Sequence, residues 1–265
     1  MNKIAIISYS GGIDSTSLLL NLLSNDYKTY ALSFNYGQKH IIEIEKAQNN
    51  INYLKKKKYL VSHKIINISD CMDILDSSLT DVKKKVPEGF YEEKNMLSTV
   101  VPNRNAIFLS ILYGYALTIS KKNPNSKVHL SLGAHSGDHS IYPDCRLEFY
   151  EHIIQSFNIG NWDTEKIDLY LPYININKAQ ILKDALKSTK HLDLDFNKIF
   201  KNTITSYSPS ENGISDGKTG SDIERILAFD EIGIKDPLKY NFSWDEVLRY
   251  AKDIEKKFKQ KTTIK

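Results

Sequence analysis

Two hydrophobic patterns alternate over the first 70 residues, and this alternation restricts the fold more than any other feature of the chain. Apolar runs at residues 3–10 (KIAIISYS), 29–36 (TYALSFNY) and 59–69 (YLVSHKIINIS) predict buried strands. Residues 14–25 and 40–56, which separate these runs, have the spacing of helices. Strands joined by single helices form right-handed parallel crossovers. The sequence therefore predicts an α/β fold, a parallel twisted sheet with helices on both faces.

The rest of the chain continues this pattern after one interruption. Residues 70–101 have no clear period, and we predict that they cross the edge of the sheet. Helices are then predicted at 105–122, about 147–157 and 177–189, with strands at 127–135 and 166–173. A polar loop at 205–220 precedes two helices near 222–232 and 243–258. We thus expect a nucleotide-binding domain over 1–200 and, packed on it as one structural unit, a C-terminal helical extension over 201–265.

Composition and charge exclude several classes of protein. The chain has 265 residues, enough for one substantial core, and a formal net charge of +4, which makes nucleic acid an unlikely partner. Its two cysteines are too few for a disulfide framework or a four-thiolate metal site. No segment reaches the ~18 apolar residues of a membrane span, and no signal peptide is visible. These features predict a soluble, cytoplasmic protein.

The hexapeptide SGGIDS, Ser10 to Ser15, follows the first strand and opens the first helix. A glycine turn at a helix N-terminus brings backbone N–H groups together, and the helix dipole favours an anion there. The Walker loop requires a lysine that is absent here, and the dinucleotide loop has a different glycine spacing. Asp14 or Ser15 is expected to cap the helix. The motif therefore predicts a phosphate site where parallel sheets usually bind ligands.

This motif resembles the signature of the N-type ATP pyrophosphatases, which include GMP synthetase, NAD synthetase and tRNA-thiolating enzymes. The resemblance implies a Rossmann-like fold of the adenine nucleotide alpha hydrolase type. It also implies cleavage of ATP between its α- and β-phosphates. The loop would then hold pyrophosphate while the substrate oxygen becomes an AMP ester.

Three further stretches, residues 33–47, 100–116 and 133–153, resemble the 7-cyano-7-deazaguanine synthase family, and residues 224–240 are similar too. The resemblance runs from residue 3 to about 240. It implies a ligase that adenylates the carboxylate of 7-carboxy-7-deazaguanine and passes it to ammonia, releasing AMP and pyrophosphate. A second ATP would drive dehydration of the amide to the nitrile. The implied cofactors are ATP and Mg²⁺, and the implied assembly is a homodimer.

The family resemblance also assigns roles to individual residues. Those implied to bind ATP and pyrophosphate are Ser8, Ser10, Gly11, Gly12, Asp14, Ser15, Tyr36 and Gln38. Those implied to bind the purine-like acid are His40, Arg104, Asp138, Tyr142, Asp144 and Arg146. The implied catalytic residues are Asp14, Arg104 and Lys178, with Asp14 as a ligand of Mg²⁺. A surface arginine at 104 and a solvated lysine at 178 are the alternatives.

The C-terminal loop departs from the family pattern. Members usually carry four zinc-binding cysteines there, and the corresponding positions are Ser206, Asp216, Thr219 and Asp222. Structural zinc sites are built from nitrogen and sulfur ligands, so no zinc is expected. We expect helix caps to hold this loop instead, with Asp222 as the cap of the following helix.

The remodelled loop leaves three functions open. The first is the ligase with ammonia as the amine. The second is an anti-phage defence paralogue that conjugates the deazaguanine to an amine of a partner protein, which would stop the chemistry at the amide. The third is a subunit that binds the nucleotide or the deazaguanine without turnover. The sequence decides neither the amine nor whether the second ATP-dependent step occurs.

Overall fold

A five-stranded parallel sheet forms the centre of the computed structural model, which describes residues 3–81, 83–207, 210 and 212–263. The strands are β1 (Lys3–Ser8), β2 (Lys28–Asn35), β3 (Val61–Asn67), β4 (Lys127–Ser131) and β5 (Ile167–Leu169). Their order is β3-β2-β1-β4-β5, and every neighbouring pair is parallel. The chain therefore changes its winding direction between β1 and β4, where open parallel sheets bind ligands.

The helices occupy the segments between and after the strands. They are α1 (Ile13–Ser24), α2 (Ile42–Lys56), α3 (Ser69–Met72), α4 (Arg104–Lys122), α5 (Leu147–Ile159), α6 (Lys178–His191), α7 (Phe196–Phe200), α8 (Gly220–Glu231) and α9 (Trp244–Thr263). The sequence patterns predicted all of these except the short helices α3 and α7. The strand predicted at 166–173 is shorter than expected, because only Ile167–Leu169 pairs with β4.

Alternate residues of β1 pack into two different apolar clusters, so the sheet is covered on both faces. Ala5 and Ile7 belong to the cluster that holds the α1 leucines. Ile4 and Ile6 belong to the cluster formed with α4. All four side chains are essentially inaccessible to water, and burying each of the three isoleucines contributes about 1.5–3 kcal/mol. The predicted fold class is confirmed.

The last two helices form a small apolar cluster of their own, in which Ile223 and Ile226 of α8 meet Val247 and Ala251 of α9. A buried ion pair ties α8 to the chain that follows it. The guanidinium of Arg225 donates to both carboxylate oxygens of Asp236, at 2.5 and 2.8 Å. The C-terminal helical extension predicted from the sequence is therefore present.

Candidate active site

A cavity of about 210 Å³ lies beside the carboxyl ends of β1, β2 and β4. It is lined by most of the residues that the sequence assigned to nucleotide, substrate or catalysis. These are Ser8, Ser10, Gly12, Asp14, Ser15, Tyr36, His40, Arg104, Asp138, Tyr142 and Lys178. The sheet topology brings together motifs that lie up to 170 residues apart in the chain.

The glycine turn after β1 has the geometry that its sequence predicts. Gly11 has a φ of +87°, and a Cβ there would lie 2.8 Å from the carbonyl oxygen of Glu43. The side-chain oxygens of Ser15 and Ser10 accept hydrogen bonds from the N–H groups of Gly11 and Gly12, both at 3.2 Å. The turn is therefore held from within by its own serines and by close packing against α2.

The prediction that Asp14 or Ser15 caps the first helix is wrong. The cap position of α1 is Gly12, and no side chain caps this helix. The N–H groups of its first turn therefore remain open to an anion, with the positive end of the helix dipole behind them. Gly133 after β4 packs closely against this turn, since a Cβ there would lie 3.0 Å from the nitrogen of Ser15.

Lys178 opens α6 and reaches the same turn from the other side. Its side chain is only 4% exposed, which excludes the solvated alternative. The Nζ atom lies 2.6 Å from Glu224 Oε2 and 3.4 Å from Asp14 Oδ2. Burial by itself lowers the pKa of Lys178. The carboxylates of Asp14 and Glu224 raise the pKa by more than burial lowers it, so the net pKa lies above the ordinary value for lysine. The ammonium group therefore stays charged beside the glycine turn after β1.

His135 is a buried member of this charged group that the sequence reasoning missed. Its Nδ1 atom accepts from the N–H of Gly137 at 3.0 Å, so the resting tautomer carries its proton on Nε2. Nε2 lies 3.7 Å from Asp138 and 3.8 Å from both Asp14 and Glu224. Burial lowers the pKa of His135 while these carboxylates raise it, and the net shift is upward. A second proton, on Nδ1, would break the hydrogen bond that Nδ1 accepts from the N–H of Gly137.

Arg104 opens α4, and its guanidinium lies 5.9 Å from the centre of the Tyr36 ring. It lines the cavity, so the alternative of a purely surface arginine is wrong. Burial lowers the pKa of Arg104 and the surrounding phenol groups, Tyr36 first, raise it. The side chain is therefore a permanent cation at the β2 end of the cavity.

Asp138 and Tyr142 lie in the loop after β4. Asp138 accepts from the hydroxyl of Tyr91 at 2.9 Å and from the backbone N–H of His135 at 3.1 Å. The hydroxyl of Tyr142 is 2.6 Å from Thr99 Oγ1. Tyr91 and Thr99 belong to the segment that we predicted to cross the edge of the sheet. That segment therefore also contributes to the wall of the cavity.

Four of the predicted site residues do not line the cavity. Gly11 and Gln38 stabilise backbone turns, the latter by accepting from the N–H of Tyr36 and donating to the carbonyl of Phe34. Asp144 accepts from the N–H of Asn105, and Arg146 is exposed and donates to a backbone carbonyl. A short 3-10 turn at Pro143–Cys145 directs Tyr142 and Cys145 inward. The structure thus gives the predicted substrate contacts of Asp144 and Arg146 no support.

Three of the four positions where the family carries zinc-binding cysteines form one hydrogen-bonded group. The hydroxyls of Ser206 and Thr219 both donate to Asp222 Oδ2, at 2.8 and 2.5 Å. Burial raises the pKa of Asp222. Asp216 lies apart and accepts from the N–H of Lys218 at 3.0 Å. Within the described residues, no group of three or more His, Cys, Asp or Glu side chains has metal-binding geometry.

The prediction that Asp222 caps the helix after this loop is wrong. Helix α8 begins at Gly220, and the cap is Thr219, whose side chain accepts from the N–H of Asp222. This places Glu224 in the first turns of α8, close to Lys178. Residues 224–240 resemble the family, but we assigned no role to Glu224, because its neighbours in the site come from distant parts of the chain.

The sequence model of the family described as "Queuosine biosynthesis protein QueC" matches residues 4–233, so the chain belongs to this family. The "7-cyano-7-deazaguanine synthase" of Caldicellulosiruptor saccharolyticus is 41% identical over 91% of this chain and 98% of that protein. The protein of the same name from Psychromonas ingrahamii is 42% identical over 91% and 99%, respectively. The family predicted from the sequence is confirmed.

Two further findings concern the likeness to a solved structure and the character of the helices. A solved structure, "NMN synthetase from Francisella tularensis", matches over 93% of this chain and 82% of that one, at 19% identity and a TM-score of 0.38. A likeness that slight carries no argument. Among the helices of the described residues, none combines the length and the apolar character that a membrane crossing requires.

Proposed function

We propose that this chain is an ATP-dependent ligase that converts 7-carboxy-7-deazaguanine and ammonia into 7-cyano-7-deazaguanine. One observation carries the proposal: a phosphate turn, Ser10 to Ser15, shares a single cavity with two cations, the buried Lys178 and the half-buried Arg104. Relatives about 40% identical over nearly the whole chain bear the name of that synthase. The arrangement fits a reaction in which a carboxylate and a triphosphate must meet.

The chemistry follows from the low reactivity of a carboxylate. Its oxygen attacks the α-phosphorus of ATP, the bond to the β-phosphate oxygen breaks, and pyrophosphate leaves. The open N–H groups of α1 and the ammonium of Lys178 stabilise the negative charge of that leaving group. Ammonia then attacks the acyl carbon, and AMP and one proton leave to give the amide. The amide oxygen attacks the α-phosphorus of a second ATP, which releases pyrophosphate. Loss of AMP and of the two amide N–H protons then gives the nitrile.

The aromatic part of the cavity wall shields the adenylated acid from water on that side. The aromatic side chains of Tyr36, Phe108, Tyr142 and Tyr207 all line it. Exclusion of water also strengthens each charge contact inside, because the local dielectric constant is lower. The acceptor that such a site favours is a small amine.

Asp14 is the residue of the turn that suits Mg²⁺. Its Oδ1 atom is buried without a hydrogen-bond partner, while its Oδ2 atom faces Lys178. Mg²⁺ prefers carboxylate and phosphate oxygens, so the free oxygen fits this ion. When bound, Mg²⁺ offsets the charge of the phosphates. Asp14 itself holds Lys178 in place at 3.4 Å in the absence of nucleotide.

The test is turnover by the purified protein with ATP, the acid and ammonium. We expect AMP and pyrophosphate together with a base of the mass of the nitrile. Asp14→Ala should abolish turnover and keep the fold, whereas the matched control Asp253→Ala, at an exposed residue of α9, should keep both turnover and fold. Release of ADP and phosphate would refute the proposal. A deazaguanine adduct on a partner protein, with no product from ammonium, would favour the protein-conjugating alternative.

The cytoplasmic location stays a prediction from the composition of the chain, and the homodimer stays a prediction from the family resemblance. Size-exclusion chromatography with light scattering measures the second directly. A monomer at working concentration would contradict it.

A further inference from the structure

We propose that Glu43 recognises the deazaguanine ring, with its carboxyl group accepting hydrogen bonds from the ring's N–H donors at the β2 end of the cavity. The inference rests on the proposed function, because it concerns the base of the same substrate. Of the two carboxylates that the sequence assigned to the substrate, Asp144 lies outside the cavity. Asp138 lines the cavity but already accepts from Tyr91 and from the N–H of His135, so the ring needs a different acceptor.

Packing and hydrogen bonds fix the position of Glu43. The residue lies near the start of α2, lines the cavity and is 7% exposed. Its Oε1 atom accepts from Gln38 Nε2 at 2.9 Å. Gln38 is itself tied to the backbone of Phe34 and Tyr36, at the end of β2. One carboxyl oxygen therefore serves to orient the group, and the other is available to a ligand.

Among the described residues, the second oxygen of Glu43 has only one weak contact. Its Oε2 atom lies 3.5 Å from His40 Nε2, at the limit of a hydrogen bond. Burial, and then the charge of Arg104, lower the pKa of His40 to about 3, so the imidazole is neutral and the contact is not an ion pair. Burial raises the pKa of Glu43 to about 8. The hydrogen bond from Gln38 and the charge of Arg104 offset only part of this shift, and a buried carboxyl group is costly unless it is fully paired.

An independent observation at His40 also indicates a ligand. His40 is 4% exposed and lines the same end of the cavity, and its Nδ1 atom is buried with no hydrogen-bond partner in the part of the chain that the structure describes. Buried polar atoms in folded proteins are nearly always paired, by protein, water or a bound molecule. Glu43 and His40 thus line the same end of the cavity, and each has a polar atom available for a hydrogen bond to a ligand.

The surroundings of Glu43 suit a flat ring that carries an acid group. The rings of Tyr36, Phe108 and Tyr207 line the cavity, and the rings of His40 and Tyr207 are 5.6 Å apart. Arg104 lies over the Tyr36 ring and supplies a cation for the substrate's carboxylate. Guanine-like rings present a ring N–H and an amino group side by side, whereas adenine does not. A carboxyl group here therefore distinguishes the acid from the adenine of ATP.

The test compares Glu43→Gln with Glu45→Gln, an exposed residue two positions further along the same helix. KM is measured separately for the acid and for ATP, and each variant is also offered the analogue of the acid that lacks the 2-amino group. A ring N–H left without its buried acceptor costs about 1–3 kcal/mol, which weakens binding by about 5- to 150-fold. We expect Glu43→Gln to raise KM for the acid by that factor and to leave KM for ATP within about twofold.

The analogue makes the test independent of how well the variant folds. The wild-type protein should discriminate against it, and Glu43→Gln should lose that discrimination while Glu45→Gln keeps it. An equal rise in both KM values, a rise for ATP alone, or no loss of discrimination would overturn the inference. A wild-type protein that does not consume the acid at all would instead end the proposed function, and this inference with it.

Discussion

Replacing Gly11 by Ala tests the geometry of the phosphate turn, and the structure provides a matched control. Gly11 has a φ of +87°, and a Cβ there would lie 2.8 Å from the Glu43 carbonyl oxygen and 2.9 Å from Ala47 Cβ. Gly233, which follows α8, has a φ of +72° and nothing within 4 Å of an added Cβ. The two substitutions therefore share the backbone strain and differ in the close contacts.

The expected magnitudes follow from that difference. A left-handed conformation costs an alanine about 1–2 kcal/mol, and the loss of chain entropy in the unfolded state returns roughly 0.4–1 kcal/mol. Gly233→Ala should thus lower the free energy of unfolding by about 1 kcal/mol. Gly11→Ala adds overpacking of about 1–3 kcal/mol, since the obstacles include backbone that cannot rotate away. Its total should be about 2–4 kcal/mol.

Urea unfolding followed by circular dichroism measures both variants on the same scale. Turnover separates them further, because only Gly11→Ala displaces the turn that faces the phosphates. We expect it to lose most of its activity under conditions in which it remains folded. Equal destabilisation by the two substitutions would refute the close packing of the turn against α2, and full activity of Gly11→Ala would refute the role of that turn.

Two further predictions concern buried charges. Lys178→Met should lower kcat/KM about 10³-fold, since a charge near 4 Å from a phosphate contributes about 4 kcal/mol at an effective dielectric constant of 20. Its control is Lys183→Met, at an exposed position of the same helix. A loss below tenfold for Lys178→Met would contradict the contact between Lys178 and the phosphate. Asp236→Asn should lower the free energy of unfolding by about 3–5 kcal/mol, because it leaves the fully buried Arg225 without its counter-charge. The control Asp230→Asn, which breaks an ion pair at the surface, should lower the free energy of unfolding by at most about 1 kcal/mol in a urea titration. A similar loss of stability in both variants would show that burial does not make the Arg225–Asp236 pair more important than a surface pair.

The long elements of this fold were predictable because each has a strong local pattern. The apolar run of β1 and the leucines of α1 specify a strand and a helix without help from the rest of the chain. Helices α3 and α7 have four and five residues, too few to establish a period, so they were missed. Strand β5 was predicted too long, because its apolar pattern continues beyond Leu169, where pairing with β4 ends.

The site was predictable where it depends on a local motif and not where it depends on tertiary contacts. The turn from Ser10 to Ser15 is contiguous, so its sequence carried its function. Glu224 reaches Lys178 across 46 residues, and no spacing indicates such a contact. Asp144 has the right chemistry and a plausible position in the sequence, but a single 3-10 turn decides which side chains face inward.

The C-terminal loop shows how the wall of the cavity is held in the absence of the family's cysteines. Ser206 precedes Tyr207 and Asp222 follows Ser221, and both Tyr207 and Ser221 line the cavity. The carboxylate of Asp222 joins the segment of Ser206 to the start of α8 through hydrogen bonds that are shielded from water. Hydrogen bonds to a buried, shielded acceptor are stronger than exposed ones. The same carboxylate therefore holds two neighbouring parts of the cavity wall together. These two segments need to be linked, and hydrogen bonds to Asp222 can link them without zinc-bound cysteines.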